Sequence, residues 1–104
     1  MKVVNLDKIA FKVTLHGGNA KDAAHDALDA AKEGDYQKAE EFLKEAEKEY
    51  NKGHEVQSEA MQEDDKENRI VPTLLMSHAK DHLMAAKTQI YLIRELVNLH
   101  KKVD

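Results

Sequence analysis

The stretch PTLLMSHAKDHLMAAKTQIYLIRELVNLHKK, residues 72–102, decides how this chain folds. Leu75, His82, Gln89, Leu96 and Val103 recur at every seventh position, and Leu74, Leu92, Ile93 and Leu99 flank that line. Seven residues make two helical turns, so the spacing predicts one helix of about 30 residues, roughly 45 Å long. Pro72 suits its first turn, and Lys101 and Lys102 complement the negative end of its dipole. Met76, Leu83 and Met84 read as core. Apolar residues on more than one face imply neighbours on several sides.

Two further periodic segments precede it. Residues 35–62 carry Tyr36, Ala39, Leu43, Ala46, Tyr50, Gly53, Gln57 and Ala60 on one stripe, widened by Phe42 and Met61. Lys38, Glu41, Glu45, Lys48 and Glu55 form the solvated opposite face. Residues 6–32 place Ile9, Val13, Ala20, Ala23, Ala27 and Ala31 on one stripe, with His16 filling its gap. Asn5 is a candidate cap for this first helix, Gly34 a stop, and Asp35 the cap of the next. Gly17-Gly18 interrupts the first helix, where each glycine costs about 1 kcal/mol against alanine. That cost predicts a kink or a close approach by another element. Residues 63–69 read as a charged, solvated connector. The architecture expected is all-α: one domain, residues 1–104, of three long antiparallel helices in up-down-up order.

Composition narrows the function. With one proline and four glycines, the chain lacks the turns of a sandwich or barrel. Absence of cysteine removes disulfides, thiolate catalysis and cysteine-rich zinc sites. A net charge of −4 with interspersed signs and no tryptophan gives no footprint for nucleic acid. No apolar run is long enough for a membrane span or a signal peptide, so a cytoplasmic protein is expected. No P-loop or GxGxxG turn offers a nucleotide site.

The chemistry concentrates at Ser77-His78-Ala79-Lys80-Asp81-His82-Leu83-Met84. His78, Asp81 and His82 share one helix face at i, i+3, i+4. Helix lengths put His54, Gln57 and Gly17-Gly18 near the same height of the hairpin. Histidine is a competent nucleophile near neutral pH. A phosphoryl group on it would need donors and room, which His54, His82, Gln57, Ser77 and the glycines could supply. Without a nucleotide site, another protein would have to deliver that group. Two histidines four apart also suit zinc, but the zincin pattern needs Glu at position 79, which is Ala. A non-catalytic helical oligomeric interaction module is the other alternative, since its heptad rhythm is the same. His16, His25 and His100 carry no assigned role.

At this segment the chain resembles the lactose/cellobiose family of enzyme IIA proteins of the phosphoenolpyruvate-dependent sugar phosphotransferase system (PTS). The family's His-x-Gln-Asp-His-Leu-Met stands here as His78-Ala79-Lys80-Asp81-His82-Leu83-Met84. A second pattern, Ala-His-x-x-Gln-Thr, stands as Gly53-His54-Glu55-Val56-Gln57-Ser58, and Gly17-Gly18-Asn19-Ala20 and Gly34-Asp35 fall where the family has them. Lys80 departs from the family's Gln, so that residue's role is not carried over.

The resemblance implies a homotrimeric nine-helix bundle. It implies that His78 accepts a phosphoryl group from the carrier HPr and passes it to a cysteine of the cognate IIB component. The membrane IIC component would select the sugar, cellobiose or a related β-glucoside. It implies that His82, His54 and Gln57 line the phosphoryl site, some from a neighbouring subunit. It also implies that Asp81 meets its copies at the trimer axis, where a magnesium ion relieves their repulsion.

Overall fold

A computed structural model describes residues 2–3, 6–64, 68–69 and 74–104, with side chains for residues 7–60 and 74–104. The elements are β1 (Lys2–Val3), α1 (Leu6–Lys32), α2 (Tyr36–Asp64), β2 (Asn68–Arg69) and α3 (Leu74–Val103). The three helices form a rod of 59 × 20 × 16 Å. The all-α reading holds, with one addition: β1 and β2 pair in parallel, Lys2 opposite Asn68 and Val3 opposite Arg69. Residues 68–69, expected within a plain connector, therefore take part in a short backbone ladder. The candidate cap Asn5 and the helix-starting Pro72 lie outside the described residues.

Alanine explains the layout. α1 packs along both of its neighbours, while α2 and α3 meet only thinly. A helix flanked on two sides must present two short faces, and α1 does so with Ala10, Ala20, Ala23, Ala24, Ala27, Ala30 and Ala31, all buried. Of the single stripe expected from Ile9, Val13, His16, Ala20, Ala23, Ala27 and Ala31, Val13 and the alanines are buried while Ile9 and His16 are half-buried, and the stripe is only part of that broader surface. Leu43 from α2 and Leu83, Ile90, Ile93 and Val97 from α3 fill the space the alanines leave. Two cores result. The larger runs from Ala20 to Val97 around the α1–α2 turn, and a smaller one gathers Ala10, Val13, Ala79 and Leu83 at the other end.

Between α1 and α2 the chain reverses at Gly34, whose φ is +82°. Gly34 N–H donates to the Ala31 carbonyl (3.0 Å) and Asp35 N–H to the Ala30 carbonyl (2.9 Å), closing α1 with a Schellman motif. The Asp35 carboxylate then accepts from Lys38 N–H at 3.1 Å, capping α2. Farther along, Arg94 bridges the thin α2–α3 seam to Glu40 (3.1 Å) and Glu47 (2.9 Å). Burial disfavours the Arg94 charge, but the hydrogen bonds it donates to both carboxylates, with their negative charge, outweigh it and hold the guanidinium charged.

α3 differs from the simple heptad reading. Its buried line is Ala79, Leu83, Ala86, Ile90, Ile93 and Val97. Leu75, Leu96 and Val103 are exposed and mark an edge, because α3 carries two apolar stripes and the seventh-residue line falls between them. Met84, read as core, is 57% exposed, whereas Met76 packs against the smaller core. The second stripe carries Leu74, Ala85, Leu92 and Leu99 on the side away from α1, and Leu74 is 88% exposed.

Replacing Gly34 by Ala strains a left-handed backbone position and is expected to cost about 1 kcal/mol. Asp35→Ala removes the α2 cap at a similar cost, about 1 kcal/mol. Urea unfolding monitored by circular dichroism measures both.

Candidate functional site

His78 and His82 sit one turn apart near the start of α3, at the end of the rod with the smaller core. Their rings are nearly parallel (19°), with centroids 6.1 Å apart. The two occupy different environments. His78 is exposed and, with Leu74 and Leu75, lines an open apolar depression. His82 is half-buried against α1.

The Gly17-Gly18 break explains how His82 fits there. α1 runs through both glycines as one helix, so the sequence's alternative of a close approach is the one realised. A Cβ on Gly17 would stand 3.0 Å from His82 Cδ2 and 3.5 Å from the Leu83 Cα. A Cβ on Gly53 of α2 would stand 2.9 Å from Leu83 Cδ1 and 3.1 Å from His16 Cβ. Glycine at both positions lets three helices converge on Leu83.

Lys21 supplies the remaining polar contact. Its Nζ lies 2.9 Å from His82 Nδ1. Burial, then the Lys21 charge, then His78 push the His82 imidazole below the ordinary histidine value, so it is neutral at pH 7. Sequence motifs missed Lys21. The signal was its spacing, because Gly17, Lys21 and His25 repeat every four residues along the α1 edge that meets α3. His25 repeats the contact two turns along α3, hydrogen-bonding Gln89 at 3.1 Å.

The other expected site residues separate. Gly53 reaches Leu83, so His54 does share the height of the site, as helix lengths predicted. Its side chain is nevertheless exposed and stacks on Tyr50, with centroids 6.0 Å apart. Gln57 is half-buried on α2. Among the described residues, no hydrogen bond or ring contact links either of them to His78 within one chain. Asp81 is exposed on the outer stripe and makes no ion pair with a described residue. Among the described residues of one chain no three His, Asp or Glu side chains gather to hold a metal.

Below this level, His16 joins a second polar cluster. Its Nδ1 is 3.3 Å from Glu49, which also accepts from Asn19 at 3.1 Å. Burial raises the Glu49 carboxyl, but Asn19, Lys52 and His16 together prevail and hold it below the ordinary value.

A helix-start histidine pair beside paired glycines, on this three-helix frame, matches known proteins along its length. The family model of the PTS lactose/cellobiose-specific IIA subunit matches residues 8–101. The chain belongs to this family. It is a component of the phosphotransferase system, similar to the lichenan-specific phosphotransferase enzyme IIA component of Bacillus subtilis. That relative is 39% identical over 98 residues, 94% of this chain and 89% of its own length. The cellobiose-specific enzyme IIA of Bacillus anthracis superposes with a TM-score of 0.90 at 34% identity, covering 96% of this chain and 92% of that one. A IIA–HPr complex of the N,N'-diacetylchitobiose branch of the Escherichia coli system gives a TM-score of 0.81 at 28% identity, covering 96% and 97%. Among the described residues, no helix of this IIA chain is long and apolar enough to cross a membrane.

Gly17→Ala tests the close approach. The gain of about 1 kcal/mol that alanine brings to an open helix position should be absent. The His82 ring should move, shifting its imidazole proton resonances, while Gly18→Ala, with 3.8 Å to His82 Nε2, moves them less.

Proposed function

We propose that His78 is the phosphoryl acceptor of this IIA chain, taking the group from phospho-HPr and handing it to a cysteine of the cognate IIB component. The observation that carries this reading is the contrast within the pair: His78 lies open at an apolar rim, while His82 is held behind it by α1. In each transfer the phosphorus–donor bond breaks as the bond to the incoming nucleophile forms, so the protein's task is placement and charge stabilisation. Leu74 and Leu75 around His78 suit a partner that must approach closely and displace water. HPr as donor is supported by the solved IIA–HPr complex of the related chitobiose protein. His82 would donate to the phosphoryl oxygens. His54 and Gln57, which have no hydrogen bond or ring contact to His78 among the described residues of one chain, would reach it from a neighbouring subunit.

The assembly follows from α3. Asp81, Ala85, Thr88 and Leu92 alternate steps of four and three along its outer face, with Leu99 a further seven residues on. This is the rhythm of a helix seam between copies. A homotrimer would cover it as a nine-helix bundle. Asp81 is the carboxylate on that seam, and three copies converging there would repel. Its oxygens suit a hard cation, so the three Asp81 side chains would hold one Mg²⁺, which neutralises their charge. The sugar class that fits is cellobiose or a related β-glucoside. The likeness to lichenan- and cellobiose-specific relatives supports it. The membrane IIC component would choose among such sugars while this chain works in the cytoplasm.

Incubation with phosphoenolpyruvate, enzyme I and HPr should add one acid-labile phosphoryl group, seen by intact mass, and His78→Ala should abolish it. A group that persists in that variant would refute the assignment. Growth of a deletion strain on individual disaccharides reads the sugar.

Sedimentation at micromolar concentration should give a trimer containing one metal per three chains. Asp81→Leu should lose the metal and keep the trimer, because leucine extends the apolar seam. Monomer alone in the wild-type protein would contradict the assembly.

A further inference from the structure

Lys21 belongs to no motif, yet it makes the only hydrogen bond His82 has among the described residues, 2.9 Å from Nζ to Nδ1. An ammonium carries donors and no acceptor, so the imidazole nitrogen must accept. Nδ1 therefore bears no proton in this pair, and the ring proton sits on Nε2. The opposite edge of the ring faces the glycine break of α1. At Gly17 the α1 backbone comes close enough that even a Cβ would stand 3.0 Å from His82 Cδ2. At Gly18 the equivalent distance, to Nε2, is a relaxed 3.8 Å. The imidazole is thus held at Nδ1, with Cδ2 over the bare Gly17, while Nε2 has no hydrogen-bond partner among the described residues and the His78 ring stands 6.1 Å away and nearly parallel.

We propose that Lys21 is a positioning residue for phosphoryl transfer: its hydrogen bond locks His82 in the Nε2–H tautomer, leaving that N–H to donate to a phosphoryl oxygen carried on His78. This rests on His78 being the phosphoryl acceptor. Without Lys21 the ring exchanges freely between tautomers and can turn the wrong edge toward the phosphoryl group. A donor already oriented stabilises developing charge without reorganisation, and losing one outright slows comparable reactions roughly 100- to 1,000-fold. Losing only its orientation should slow transfer less, roughly 10- to 100-fold.

The test uses the full chain with ¹⁵N-labelled histidine rings. Long-range proton–nitrogen spectra of the wild-type protein should show His82 with an unprotonated Nδ1 and a protonated Nε2. Lys21→Met should move His82 toward a tautomer mixture and slow phosphorylation by phospho-HPr roughly 10- to 100-fold. Lys21→Arg, which keeps a cationic donor, should restore most of both. An Nδ1–H tautomer in the wild type, an unchanged tautomer in Lys21→Met, or transfer within twofold of wild type would each overturn the proposal. The wild-type spectrum needs no variant, so misfolding of Lys21→Met leaves the test standing. It also needs no phosphoryl group, so persistent phosphorylation of His78→Ala would strike the carrier reading and leave the Lys21 grip to be judged by the spectrum.

Discussion

The closeness of α1 to its neighbours is the constraint on which the rest of this molecule depends. Alanine and glycine keep the α1 surface low, so leucine and isoleucine side chains of α2 and α3 rest almost on its backbone. Each alanine buries little area, and cohesion therefore comes from the length and fit of the contact rather than from bulky anchors. The same closeness builds the site. Only where α1 has no side chain, at Gly17, can the His82 ring lie against it, and only then does Lys21 reach Nδ1.

The site combines opposite demands within one helical turn. His78 stands open among exposed leucines. His82 is withdrawn against a neighbouring helix, where burial and a nearby cation push its imidazole below the ordinary histidine value. A single i, i+4 spacing meets both needs because 400° of rotation displaces the second ring by about 40° from the first, toward α1. The outer stripe of α3 lies on the other side of His78, so the exposed ring stands at the boundary between the chain's own core and the surface left for other molecules.

Much of this was legible in residue order. The three helices, the Gly34-Asp35 reversal and the stripe from Ala39 to Ala60 follow from periodicity and capping chemistry, which are local. The glycine break at Gly17-Gly18 correctly announced a close approach. What periodicity misplaced was the inner face of α3, since a helix with two apolar stripes offers two equally good lines and Met84 falls on the wrong one. Residue order also placed His54 at the height of Leu83 but could not supply its azimuth, which depends on how α2 rolls against α1. Lys21 stood in no motif, and only its four-residue spacing from Gly17 and His25 hinted at a contact made across 61 residues. The Lys2–Val3 pairing with Asn68–Arg69 was likewise unannounced, being a backbone contact between distant segments with no side-chain signature.

The division of the interior into two unequal cores gives the rod a direction. At the turn end, the large core is closed off by Tyr36, whose hydroxyl donates to the Asp104 carboxylate at 2.8 Å and contacts the His100 carbonyl at 3.2 Å. The last turn of α3 is thereby tied to the first turn of α2. At the histidine end lies the cluster of Ala10, Val13, Ala79 and Leu83, with Ile9, Tyr50, Val56 and Met76 packed against it. The rod thus has its α2–α3 tie at the end away from the histidine pair, and the imidazoles of His78 and His82 stand far along the rod from it, so that whatever meets them leaves the Tyr36 clamp untouched.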